Sequence, residues 1–440
     1  MADLVRGIVN SKSLSPEQKE AVKAKLSEVC GQTVSDYLTN GPRYPNWTLG
    51  MQTTVEAIKT GFGSMRPMNR VVMTTENFDI KVFGEAVTVI RDMPVDISGY
   101  PGKLGREEWS THSNEFRNVL TESLFSGSEY GFIRDRIQRE INVPRQLYSE
   151  IVFHNSLLDK TINSGYKEES FFSLSPLSSD EVVLIHFHGG SYCYECPGTY
   201  RRAMIDISKA TGCRVFLPKY RLAPDHPFPA AILDGAEFYY HMQSLGYKPE
   251  NIIVCGDSAG GNLALSLLQV LKAAGSKQPR GAISISPWSD LNPITDSYVR
   301  NLKYDFLANI PISSVYNPSG LYLNPGKPLN KEIYELMKSP FVSPVCADYD
   351  GCPPIYVQSG ELELIVDDID KLGEKIGSKQ VMITGKDHPG FESLSTRNAY
   401  EKFYGMVHVP FLFEDAAEYH AILEGIGNWV KKLTKESKLD

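Results

Sequence analysis

From about residue 180 onward, apolar and polar positions fall into blocks that read as strand, loop, helix, repeated. Residues 182–187, 214–218, 252–255, 282–285 and 355–358 are short apolar runs, rich in β-branched side chains and bounded by Gly or Pro. They show no polar face, so they predict strands covered on both sides, as in a parallel sheet. Helical stretches lie between them, for example 230–245 and 261–274. The alternation predicts an α/β fold: a mostly parallel central sheet flanked by helices, with active groups at the C-terminal ends of its strands.

The first 140 residues follow no such rhythm. Ser15-Pro16-Glu17-Gln18 opens a helix with an N-cap serine, Pro at the first helical position and Gln at the third. That helix is expected to run to Tyr37, and 53–60 and 115–124 also read as helical. We expect residues 1–140 to form an N-terminal cap or accessory region and 141–440 the catalytic domain. The stretch 292–338 interrupts the α/β pattern and carries Tyr298, Tyr304, Phe306, Leu307 and Tyr316. It is expected to contribute to the same cap.

Composition narrows the classes. The 440 residues are 42% hydrophobic and 22% charged, which is globular and not disordered. A net charge of −8 without any basic run argues against nucleic acid as a partner. The N-terminus develops no apolar leader, and no run approaches the ~20 residues of a membrane span; a cytoplasmic location is the expectation. Seven cysteines do not form a disulfide framework. Cys193 and Cys196 make a C-x-x-C with no second ligand pair, so no metal is expected. Asn46-Trp47-Thr48 is read as a chance glycosylation sequon, and the absence of a phosphate-binding glycine loop leaves no cofactor implied.

Two motifs carry chemistry. Gly256-Asp257-Ser258-Ala259-Gly260 fits G-x-S-x-G, a turn that exposes a serine between a strand and a helix. His188-Gly189-Gly190-Ser191-Tyr192 supplies a glycine pair whose backbone N–H groups can face a developing oxyanion. One presents a nucleophile and the other stabilises the charge its attack creates, which points to acyl transfer on an ester-like carbonyl.

Together with Tyr220-Arg221-Leu222-Ala223-Pro224-Asp225-His226-Pro227, these motifs resemble, in order, the hormone-sensitive lipase family of α/β-hydrolases. The likeness spans roughly 180–430 and implies an α/β-hydrolase fold with a helical cap. It implies Ser258 as nucleophile and the amides of Gly189, Gly190 and Ala259 as the oxyanion hole, with Ser191 where many relatives carry a third glycine. The family's acid lies four residues before an Asp; counting back from Asp367 gives Glu363, with Glu361 its rival. The base is expected to be His408, in a segment similar to the family's G-M-x-H-V, with residues 384–399 an insertion; His388 and His420 are the rivals. Arg221 and Asp225 are expected to form a buried ion pair, His188 to shape its loop, and Asp257 to be a structural partner. The implied activity is a serine carboxylic-ester hydrolase for short to medium acyl esters, acting through an acyl-enzyme on a small-molecule substrate. A steryl-ester deacetylase or arylformamidase-like amidase shares these residues, and a non-catalytic receptor on the same fold is the rival from another class.

Overall fold

The computed structural model describes residues 15–64, 73–91, 93–110, 131–141, 145–162, 165–390 and 397–436. Nine strands form one sheet: β1 (Gly102–Ser110), β2 (Gln146–His154), β3 (Val183–Phe187), β4 (Arg214–Pro218), β5 (Ile252–Asp257), β6 (Gly281–Ile285), β7 (Ile355–Gly360), β8 (Gln380–Ile383) and β9 (Ala399–Phe403). Their spatial order is β1-β2-β4-β3-β5-β6-β7-β9-β8. β2 pairs antiparallel with both β1 and β4, and every later pair is parallel. The five expected strands are β3 to β7. Every residue in them is buried, because helices cover both faces of a parallel sheet and leave no polar side to show in the sequence.

β1, β2 and β9 escaped the hydrophobic pattern for identifiable reasons. β2 buries Glu150, which is neutralised by the Arg201 guanidinium. β9 buries Glu401 and Lys402, the first held by Tyr356 and His388 and the second by Asp370. Buried charges satisfied by partners distant in sequence break an apolar run without breaking the strand. β1 is an edge strand carrying Lys103, Arg106, Glu107 and Glu108, a composition that protects an open edge. It lies within the first 140 residues, so that region reaches the sheet itself.

Residues 384–398 connect two parallel strands, and Ala399 opens β9. β9 lies directly beside β7, with Gly360 opposite Phe403, and runs on to His408. β8 is an extra edge strand beyond it.

The N-terminal helix spans Pro16–Asn40, begins in a complete capping box between Ser15 and Gln18, and passes the expected end at Tyr37. A second helix, Leu49–Ser64, contains the expected 53–60. The helix expected over 115–124 lies outside the described residues. Trp47, Met51, Val55 and Ile58 share a core with Phe306, Val409, Phe411 and Phe413. Phe83 meets Phe78 and stacks on Tyr316 at 6.4 Å between ring centroids. The N-terminal segment and the 292–338 stretch thus pack together on the loops that follow the parallel strands.

Candidate active site

Ser258 stands between β5 and the helix Ala259–Ala273, with φ 52° and ψ −118°. A positive φ costs a β-substituted residue energy, and the packing that enforces it is visible in the flanking glycines. A Cβ on Gly256 would lie 2.3 Å from Gly260 O, and one on Gly260 would lie 1.9 Å from Phe187 O. The Ser258 N–H donates to Ile285 O at 2.9 Å, and Ser258 O accepts from Trp288 N–H at 3.0 Å. The turn is therefore locked between β3 and β6.

Ser258 Oγ lies 2.9 Å from His408 Nε2, and His408 Nδ1 lies 2.8 Å from Glu363 Oε2. The acid and base expected from the sequence are thus brought to the serine in one line. Glu363 and His408 are both buried. Burial works to lower the His408 pKa, but the hydrogen bond and charge of Glu363, helped by Asp305 and Asp257, outweigh it and raise it above the ordinary value.

The rivals are occupied elsewhere. Glu361 accepts from the Gly405 N–H at 2.9 Å and the Tyr44 hydroxyl at 3.1 Å. His388 lies on the β8–β9 connection, 2.7 Å from Glu401, with both side chains buried. His420 is exposed on the helix Tyr419–Glu436.

The oxyanion loop departs from expectation at one residue. The Gly189 N–H donates to the Tyr200 hydroxyl at 3.0 Å, so it is directed at a polar cluster beneath the loop. A Cβ on Gly189 would meet Asp257 Oδ2 at 2.4 Å and Tyr200 Oη at 2.8 Å, which is why this position is glycine. The chain then turns through positive φ at Gly190 (95°), Ser191 (52°) and Tyr192 (58°). The amides of Gly190, Ser191 and Ala259 have no partner among the described residues.

This loop is clamped from several sides. His188 stacks on Tyr220 at 4.3 Å and lies 2.8 Å from Gly189 O through Nδ1; burial pushes its pKa down to about 3, which keeps the ring neutral. Tyr192 stacks on Tyr322 at 3.9 Å. Asp257 accepts from Tyr200 and lies 3.2 Å from His186, a structural position as expected.

Two residues that the sequence reading missed brace the acid and the base. Ser286, with φ 47°, donates to Glu363 Oε1 at 2.6 Å and accepts from the Val409 N–H at 2.9 Å. Asp305, fully buried, accepts from the Leu364 N–H at 2.6 Å, the Phe306 N–H at 2.8 Å and the His408 N–H at 3.3 Å. Its one carboxylate therefore joins the loops of both Glu363 and His408. The only signal in the sequence is an acid inside the apolar run Tyr304-Asp305-Phe306-Leu307.

Comparison with known proteins matches residues 184–392 to a family described as having the α/β hydrolase fold. An esterase of Acinetobacter venetianus is 34% identical over 215 residues, which cover 48% of this chain and 67% of that protein. The chain belongs to the α/β-hydrolase family. An acetyl-hydrolase of Streptomyces hygroscopicus is 30% identical over 49% of this chain and 68% of its own length. The crystal structure of EstE5 soaked with p-nitrophenyl butyrate superposes with a TM-score of 0.50 at 26% identity, over 66% of this chain and 82% of that one. An esterase/lipase from an uncultured bacterium, at 20% identity, shares the fold with a TM-score of 0.56 over 88% of this chain and 100% of that one. This member of the family is a hydrolase of the esterase and lipase type.

Other features of the hydrolase depart from or refine the sequence reading. Arg221 and Asp225 do not pair with each other. Arg221 pairs with Asp234 at 2.8 Å, and Asp225 pairs with Arg91 at 2.6 Å. Asp234, on the helix Ala230–Ser244, is fully buried and meets Arg221 at the helix start, whereas Asp225 remains exposed at the loop tip. The sequon residue Asn46 gives its amide N–H groups to Tyr404 O and Glu418 Oε1, both at 2.9 Å, so its side chain is committed to the interior. Cys193 and Cys196 are buried free thiols, and burial pushes the Cys193 thiol up to about 12. Among the described residues, no three His, Cys, Asp or Glu side chains gather as metal ligands, and no helix is long and apolar enough to cross a membrane.

Proposed function

We propose that this hydrolase cleaves short to medium acyl esters through an acyl-enzyme on Ser258. His408 takes the serine proton as Oγ attacks the ester carbonyl, then gives it to the leaving alcohol. It later activates the water that releases the acid. Glu363 holds the imidazole in the required tautomer and stabilises the imidazolium. The oxyanion is received by the amides of Gly190, Ser191 and Ala259, at the N-terminus of a helix whose dipole favours negative charge. Gly189 instead serves the loop's anchor. The observation that carries this reading is the unbroken line Ser258–His408–Glu363, at 2.9 and 2.8 Å.

The limit on acyl length follows from the cover. We assign residues 1–140 and 292–338 to a cap over the site. In support, the Phe306 ring lies 5.7 Å from the His408 ring, and Arg91 holds Cys193 O beside the oxyanion loop. Such an enclosed site bounds ligand volume. The acetyl-hydrolase name of one relative fits small acyl groups. A panel of p-nitrophenyl esters of graded chain length should show turnover falling beyond medium chains; efficient cleavage of emulsified long-chain triglyceride refutes the limit. Ser258→Ala should fold and lose at least about 10⁴-fold in kcat. A fluorophosphonate probe should label wild type at Ser258 alone, and substantial turnover in the variant refutes the nucleophile assignment.

A further inference from the structure

We propose that Glu195 is a positioning residue of the oxyanion loop, acting as a neutral carboxylic acid whose proton completes a hydrogen-bond chain through Tyr200 to Asp257. The inference rests on the ester-hydrolase reading above and extends it to a residue outside the triad and its amide donors.

Tyr200 Oη has three neighbours: the Gly189 N–H at 3.0 Å, Asp257 Oδ2 at 2.8 Å and Glu195 Oε2 at 2.5 Å. A phenol carries one hydrogen and two lone pairs. Gly189 donates to one lone pair, and the phenol hydrogen serves one carboxylate. The other carboxyl group is held at hydrogen-bond length only if it brings its own hydrogen, donated to the second lone pair.

Asp257 Oδ1 also has His186 Nε2 3.2 Å away, whereas the Tyr200 hydroxyl is the one hydrogen-bond partner of the Glu195 carboxyl among the described residues. The extra proton therefore belongs on Glu195. Its surroundings agree: burial, then the charge of Asp257, push its carboxyl up to about 7, against the pull of Tyr200 and His408. The groups facing the pair are Tyr200, Tyr220, Asp257, His186 and His408. In this arrangement all the hydrogens and lone pairs of Tyr200 are used.

The chain is wired to the oxyanion loop at two points. One is the Gly189 amide. The other is Gly190, where a Cβ would lie 2.4 Å from Tyr194 O and 3.2 Å from Glu195 Cγ. Glu195 itself is held at φ 66°, a conformation that this packing must enforce. When Glu195 ionises, two carboxylates compete for a single phenol hydrogen. One contact is lost, the carboxylates repel, and the amides next to Gly189 lose their fixed aim. A second negative charge also then stands close to the oxyanion.

The test is the pH profile of kcat/KM on p-nitrophenyl butyrate, read at the isosbestic wavelength of the released phenol. Wild type should rise along the acid limb set by His408 and then fall about tenfold as Glu195 ionises above about pH 7. Glu195→Gln, neutral at every pH and still able to donate, should lose that fall while running about threefold below the wild-type maximum. Glu195→Ala should be about 30-fold down throughout, without the fall. Tyr200→Phe, which deletes the shared hydroxyl, should also abolish it. A wild-type profile flat from pH 7 to 9, or a fall that persists in Glu195→Gln or Tyr200→Phe, overturns the proposal. Absence of ester turnover in wild type at any pH refutes the ester-hydrolase reading instead, so the two failures are distinct.

Discussion

On one side of Ser258, the acid and base are fixed by buried polar side chains that grip backbone amides. Asp305 holds the N–H groups of Leu364 and His408, and Ser286 holds Glu363 and the Val409 N–H. On the other side, the loop from Gly190 to Glu195 takes positive φ at four of its residues. It is held by ring stacking, His188 on Tyr220 and Tyr192 on Tyr322, together with hydrogen bonds spread along it: the Gly189 N–H to the Tyr200 hydroxyl, the Tyr192 hydroxyl to Asn262 and Arg91 to Cys193 O. The difference matters because each side guards against a different error. A base must keep one tautomer and one distance, which directional hydrogen bonds to charged groups secure. An oxyanion hole must keep several amides convergent while the chain is locally strained, and that takes surrounding volume as much as hydrogen bonds.

The comparison is most directly broken at His408. His408→Ala should lower kcat by several orders of magnitude with little change in folding, measured by turnover and thermal unfolding. His388→Ala should do the reverse. It leaves Glu401 buried with fewer partners, so we expect a loss of about 1–3 kcal/mol of stability and near-normal specific activity. Loss of turnover in His388→Ala with an active His408→Ala reverses the assignment.

Glu363→Gln should cost about 10³-fold in kcat, because the amide no longer fixes the imidazole tautomer. It also tests the pH argument. Neutral His408 is the base, so kcat/KM falls as pH drops through its raised pKa. Removing the Glu363 charge leaves burial, which lowers that pKa, so the acid limb should move to lower pH. An unmoved limb means the raised pKa has another source.

Asp305→Asn sharpens the comparison on the same side, with an expected loss of about tenfold in kcat and a smaller shift of the acid limb in the same direction. A purely structural role predicts lower stability with an unmoved limb. On the loop side, Arg91→Ala should cost only about threefold, because the loop keeps its stacks when it loses the hydrogen bond to Cys193 O. A loss as large as that of Asp305→Asn would show the loop to be held as directionally as the acid and base.

The five central strands, the capping box at Ser15 and the nucleophile turn were legible because each is a local rule: period, cap chemistry, or a glycine demanded by close approach. Glu363 and His408 were legible only through a resemblance that supplies order and spacing; neither has a local signature. β2 and β9 were hidden because buried Glu150 and Glu401 look like surface residues until Arg201 and His388 come to meet them. The expected Arg221–Asp225 pair failed for a related reason. Charge signs in sequence do not say which of two acids a fold buries, and here it buries Asp234.

The sequence by itself determined which residues had the chemistry: a serine in a glycine-flanked turn, a histidine and an acid in order behind it, and a glycine loop before it. Only the tertiary structure decided which amides of that loop are left unpaired and which acid braces the base. Those outcomes depend on contacts such as Gly189 to Tyr200 and Asp305 to His408, 11 and 103 residues apart in the chain. A motif fixes neighbours a few residues apart by local sterics, whereas the partner of a buried amide is set by whatever the whole fold packs against it.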